Sequence, residues 1–238
     1  MGPLPVNMDL ASTYFIRGSN FPTPTHHPAP ELLVDYVAGA LSPAAALLIE
    51  LHLAFCTGCR RSLDVLLAAG GALMDALPPA RLPADLFNRT LQALGGMEPA
   101  STLSDPTPVP AFAAGWPRVL RDRVVEQGYA DWRKMPGGFR AITIPFPKSE
   151  GRVIVLKAPG GRGPFRHTHA KDEWTVVLEG GFTDELGTYT AGDFVCAGRD
   201  IEHTVIADDG GCVCTLLMRA APVYTTWPGK LMQRFMKV

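Results

Sequence analysis

The sequence has no uncharged apolar run approaching the ~18 residues that a membrane-spanning helix requires, although 47% of its 238 residues are hydrophobic. Its first 25 residues also lack a basic start followed by an apolar core, so a soluble, cytoplasmic protein is expected. Neither sign of charge is in excess: 22 Lys and Arg stand against 23 Asp and Glu, a formal net charge of −1. Without a basic footprint no direct contact with nucleic acid is expected, and a role in transcription would run through protein contacts. Cysteine is scarce and odd in number, and Cys56, Cys59, Cys196, Cys212 and Cys214 cannot all pair in a disulfide framework. The C-x-x-C of the first two points instead to metal or redox chemistry in a reducing compartment.

Proline and glycine, at 22 and 24 residues, are plentiful and divide the chain. Residues 1–25 form an N-terminal extension. Beyond it, Leu32, Leu33, Tyr36 and Val37 recur at helical spacing and predict a short helix over 31–40. Ser42 and Pro43 supply an N-cap and a first-turn proline for a second helix running to about Cys56. Gly58 is read as the turn into a third helix, 59–77, stopped by Pro78 and Pro79, and Pro83 as the start of a fourth that ends at Gly95 and Gly96. Residues 97–115 carry Pro99, Pro106, Pro108 and Pro110 among small polar residues and read as a linker. Over 116–238 the pattern changes to short β-favouring runs (141–144, 152–156, 174–178 and 213–218) between Gly-rich turns. The expectation is four helices, a linker and an all-β barrel, each half with its own core.

His52, Cys56 and Cys59 form an H-x-x-x-C-x-x-C string that projects three tetrahedral metal ligands from one helix face and its last turn. A structural zinc site needs a fourth, and His26 and His27 are both in reach just ahead of the first helix. Closing such a site would staple a domain too small to be stable on core size alone. Over residues 26–96 this pattern resembles the zinc-binding anti-sigma domain, a four-helix unit in which a histidine 25 residues ahead of the string completes the site. That spacing selects His27 over His26. The resemblance implies a partner as well, an extracytoplasmic-function sigma factor held by the helical domain. The third and fourth helices carry Leu66, Leu67, Leu73, Leu86, Phe87 and Leu91 at spacings that a four-helix domain cannot bury entirely, and of these Leu66, Leu73, Phe87 and Leu91 are the candidate contact residues.

A second constellation stands in the β-rich half: Gly161, then His167, His169, Glu173 and Gly180, in the spacing G-x5-H-x-H-x3-E-x6-G. On a strand His167 and His169 share a face, and a carboxylate and a later imidazole would complete an N/N/N/O set suited to zinc, iron, manganese or nickel. His203 is the natural fourth ligand. The string is similar to the first cupin motif at every position and implies a double-stranded β-helix barrel. The second motif departs from the usual cupin form at Gly198, Asp200 and Ala207 while keeping His203. Cys212 and Cys214 alternate on one strand and read as buried core thiols.

The order of the two modules resembles a ChrR-type anti-sigma factor over nearly the whole chain. That resemblance implies negative regulation of transcription by sequestering a sigma factor, with release governed by the cupin on an oxidative signal such as singlet oxygen or an organic hydroperoxide. A helical module with its own core should then keep binding the sigma factor after removal of the barrel. The competing reading is a metal-dependent cupin dioxygenase or hydrolase carrying an N-terminal zinc module for assembly, since three histidines and one glutamate leave positions open on a metal.

Overall fold

The computed structural model describes residues 23–95, 109–126, 132–146 and 151–235. The expected extension lies outside the described residues as far as 22, and the expected linker as far as 108. Helices α1 (Pro30–Val37), α2 (Pro43–Phe55), α3 (Thr57–Asp75) and α4 (Leu86–Gly95) come first, followed by α5 (Arg118–Glu126). The strands are β1 (Arg133–Lys134), β2 (Arg140–Ile144), β3 (Arg152–Ala158), β4 (His167–His169), β5 (Glu173–Asp184), β6 (Gly187–Thr190), β7 (Phe194–Ala197), β8 (Ile206–Met218) and β9 (Pro222–Tyr224), and α6 (Trp227–Phe235) closes the chain. The four helices expected ahead of the barrel are present, with α5 and α6 added to them. No helix among the described residues is long and apolar enough to cross a membrane.

Helix α2 is the centre of the molecule. Ser42 Oγ accepts from the Ala45 amide at 3.3 Å, and Pro43 occupies the first turn, where an amide would have no helical partner. Its sequence PAAALLIELHLAF offers almost no polar face, and Leu47, Leu48, Ile49, Leu51, His52 and Leu53 are all buried. A helix apolar all round must be covered all round. Helices α1 and α3 lie on it from one side; α5, β5 and β8 lie on it from the other.

The helix boundaries differ from expectation in instructive places. Between α2 and α3 the break is a single residue, Cys56, at φ −103° and ψ 106°, and Gly58 lies inside α3. The sulfur explains this: Cys56 Sγ accepts from the Cys59 amide at 3.4 Å and so caps α3. Helix α4 starts at Leu86, because the segment from Pro83 makes a turn in which Pro83 O accepts from the Leu86 amide at 3.0 Å. None of the α4 side chains is buried.

The strands form a seven-stranded antiparallel sheet, β1-β2-β3-β8-β5-β6 with β7 also on β5, and a small β4-β9 sheet whose His167 makes an isolated bridge to His203, between β7 and β8. The long pair β5 and β8 slips register at Gly180, whose φ is +67° and where a Cβ would sit 2.1 Å from Gly211 O. The last glycine of the sequence motif is therefore required by a close backbone approach.

Trp174, Val176 and Leu178 of β5, with Val213 and Leu217 of β8, join α2, Trp116 and Leu120 in one continuous core. The expectation of a separate core for each half is corrected in part by this packing: β5 and β8 help to cover α2, while a second cluster around Val177, Phe182 and Tyr189 lies within the barrel. The end of the expected linker is also docked: Ala113 is fully buried, and Phe112, Trp116 and Trp132 form an edge-on aromatic cluster from which Trp116 Nε1 donates to Glu179 at 3.0 Å. A shared core predicts shared unfolding. Leu48→Ala should cost about 2–5 kcal/mol and shift helical circular dichroism and barrel tryptophan fluorescence together in one transition; two transitions, with only the helical one displaced, would refute the shared core.

Candidate functional site

The break at Cys56 brings four ligand atoms together: His27 Nδ1, His52 Nε2, Cys56 Sγ and Cys59 Sγ lie within 4.8 Å of one another. His27 Nδ1 is 3.4 Å from His52 Nε2 and 3.5 Å from each sulfur, and His52 Nε2 is 3.2 Å from Cys59 Sγ. Bonds of about 2.05 Å to nitrogen and about 2.3 Å to sulfur at tetrahedral angles give N···N edges of about 3.3 Å and N···S edges of about 3.6 Å. The four residues thus fit a tetrahedral ion. His26, the alternative ligand, points elsewhere, with its ring against Tyr189 at 4.6 Å.

The surroundings fix the protonation states. A carbonyl can only accept, so the 2.7 Å contact between His52 Nδ1 and Gly192 O places the proton on Nδ1 and leaves Nε2 free to coordinate. Burial lowers the His52 pKa to about 4, so the ring is neutral at physiological pH. Burial first, and then the neighbouring Cys56 thiol, pushes Cys59 up to about 12. A thiolate there requires a cation beside it.

In the barrel, His167, His169 and His203 gather in the same way, all three buried. His167 Nδ1 donates to Phe165 O at 2.9 Å, and His203 Nδ1 lies 2.9 Å from Asp184 Oδ2, so both Nε2 atoms are free to coordinate. His169 Nε2 and His203 Nε2 are 3.0 Å apart, a separation that suits two ligands of one ion. Burial lowers His167 and His169 to about 4, so protons do not compete for the site near neutrality. Glu173 stands beside this cluster rather than in it, its Oε2 3.8 Å from His169 Nδ1. Burial pushes its carboxyl up to about 7, and a bound cation would draw it back to a carboxylate.

His167, Glu173 and His203 open onto a cavity of about 1130 Å³ that Cys212, Cys214 and Tyr224 also line. The two cysteines are buried as expected, yet they face this cavity as well as the core, whereas Cys196 is exposed. Sequence reasoning missed Asp184 and Gly192. Asp184 follows an ordinary turn pattern, its Oδ1 accepting from the Leu186 and Gly187 amides at 2.9 and 3.2 Å, and that role conceals the second oxygen on His203. Gly192 acts through its carbonyl, which no side-chain motif reveals. Asp184→Asn should weaken metal binding in the barrel about 10- to 100-fold while leaving the helical site intact. Competition with a chromophoric chelator measures this, and wild-type affinity in the variant would remove Asp184 from the site.

Over residues 120–222 the chain matches the family of ChrR cupin-like domains, and over residues 31–60 a zinc-finger family, with His27 just ahead of that segment. It is 32% identical over 215 residues to the anti-sigma-E factor ChrR of Cereibacter sphaeroides, a match covering 90% of this chain and 98% of the relative. It is also similar to the crystal structure of Rhodobacter sphaeroides SigE in complex with the anti-sigma ChrR, with a TM-score of 0.66 at 33% identity over 82% of this chain and 99% of that one. With one candidate ligand set on a helical module and a second in a cupin barrel, and matched to these relatives over nearly their whole length, the chain belongs to the ChrR family of anti-sigma factors.

Proposed function

We propose that the chain binds and sequesters an extracytoplasmic-function sigma factor through its helical module, in the cytoplasm, and that the cupin metal site governs release on an oxidative signal. The observation that carries this reading is apolar side chains left uncovered among the described residues. Leu73 and Phe87 are each 72% exposed and Leu91 is 51% exposed, and Val65, Met74 and Leu94 are exposed on the same two helices, α3 and α4. Helix α4 carries Leu86, Leu91 and Leu94 yet buries no side chain among the described residues. Large apolar side chains exposed in this number on two helices suit a binding surface. Leu66, expected as a contact, packs partly against the core and is better assigned to holding α3 in place.

Zinc suits the N-terminal set of two imidazoles and two thiolates. The barrel set takes a divalent ion, with zinc favoured and iron, manganese or nickel compatible. In both sites the chain's own residues fix tautomers, at His52, His167 and His203, and a bound ion would supply the positive charge that holds the thiolates and the carboxylate ionised. The rival enzyme reading is set aside by the near full-length match to an anti-sigma factor.

Charge on the exposed surface should abolish binding without touching the fold. Phe87→Asp and Leu91→Asp are each expected to raise the Kd for the cognate sigma factor by more than about 30-fold, the effect of losing a central apolar anchor, at unchanged circular dichroism and metal content. Wild-type affinity in both variants would move the contact away from α4.

A further inference from the structure

The helical module's metal site is held by residues of the barrel. Two of its ligand-bearing segments, the stretch leading to His27 and the end of α2, meet the turn over residues 190–194, between β6 and β7. Gly192 O accepts from His52 Nδ1 at 2.7 Å. Asp193 is fully buried, and its Oδ1 accepts from the Thr25 and His26 amides at 2.7 and 2.9 Å, fixing the chain immediately ahead of His27. The Phe194 amide donates to His26 O at 3.0 Å. Beside Cys56, the Phe55 side chain packs so closely that a Cβ on Gly192 would come within 2.6 Å of Phe55 Cβ and 2.7 Å of Pro24 Cγ.

The turn is in turn fastened to β5. The Gly192 amide donates to Val177 O at 2.9 Å and the Val177 amide to Asp193 O at 3.2 Å, while β7 continues in register beside Trp174 and Val176. Strand β5 starts at Glu173, beside His169 of the barrel site, and ends at Asp184, on His203. One strand therefore touches the barrel's metal ligands at both ends and the clamp on the other site at its middle.

We propose that residues 190–194 of the barrel are a positioning clamp for the His27, His52, Cys56 and Cys59 site, through which the barrel sets how firmly the sigma-binding module keeps its metal ion. A carbonyl or carboxylate that orients a ligand from outside the coordination sphere changes metal affinity about 10- to 100-fold when lost, which is ample for a switch. Coupling of this kind requires a physical element that both sites bias, and β5 with its attached turn is that element. The proposal rests on the N-terminal set holding a metal.

The test uses the full-length chain loaded with Co(II), whose charge-transfer absorption reports thiolate ligands, challenged with EDTA. Cys59→Ala assigns the band to the N-terminal site by reducing it. Asp193→Ala and Gly192→Ala are expected to retain the band at saturating metal and to bind Co(II) about 10- to 100-fold more weakly. Asp193→Asn, which keeps the acceptor for Thr25 and His26 but turns a donor toward the Thr190 amide, should be intermediate. Trp116→Phe, which loosens the core away from the turn by breaking its bond to Glu179, should lower thermal stability and leave Co(II) affinity unchanged. If Asp193→Ala fails to fold, Asp193→Asn carries the test. Wild-type affinity in the Asp193 and Gly192 variants overturns the clamp; absence of the band from the wild-type chain overturns the metal reading on which it rests.

Discussion

An α-helix without a polar face has to be covered on every side, and α2 imposes that demand on everything around it. The helices beside it supply part of the cover, and strands β5 and β8 of the barrel supply more. From this follow the core shared by both modules, the docking of the Trp116 segment, and the placement of His52 at the junction. His52 is fully buried because it sits on the last turn of a helix with no exposed face to offer it. An unpartnered imidazole there would be costly, and the Gly192 carbonyl on one nitrogen and the metal-ligand set on the other satisfy both.

The two metal sets follow one chemical rule. Each uses buried imidazoles whose protonated nitrogen is tied to an oxygen from another segment, Gly192 for His52, Phe165 for His167 and Asp184 for His203. Burial keeps His52, His167 and His169 neutral and disfavours ionisation of Cys59 and Glu173, so each set is poised to hold a cation and to lose order without one. They differ in what lies next to them. The N-terminal set lies between helix ends and the barrel turn with His27 exposed, whereas the barrel set faces a cavity large enough for an organic molecule, with the thiols of Cys212 and Cys214 on its wall. The cavity thus gives outside chemistry access to the second set, and the first shares its elements with the helical module.

Much of this was legible in the sequence because it is written in fixed spacings. H-x-x-x-C-x-x-C places three ligands on one helix end, and H-x-H places two on one strand face, whatever the rest of the fold does. The four leading helices follow from periodicity, Ser42, Pro43 and Pro78. What could not be read is carried by the backbone or by tertiary packing. Cys56 as helix cap displaces Gly58 from the role of turn, since a sulfur acceptor is not an expected capping group. Gly192 contributes a carbonyl and a vacancy for Phe55, and neither has a side-chain signature. Asp184 is hidden behind its ordinary turn role. The expectation of two wholly independent cores fails for a similar reason: an apolar helix does not say which surface will cover it, and the expected persistence of sigma binding after removal of the barrel loses its basis once part of the α2 cover comes from β5 and β8.

Linkage between the barrel's metal set and the sigma-binding module is the claim on which this account stands, and hydrogen exchange across α2 and the first turn of α3 tests it most directly. In the full-length chain with His167→Ala and His169→Ala, which break the barrel set alone, amides over residues 50–60 should exchange faster than in the wild type, because β5 and its turn no longer hold the same arrangement. Unchanged exchange over 50–60, with faster exchange confined to β4, β5 and β9, would contradict it and leave the two metal sites independent.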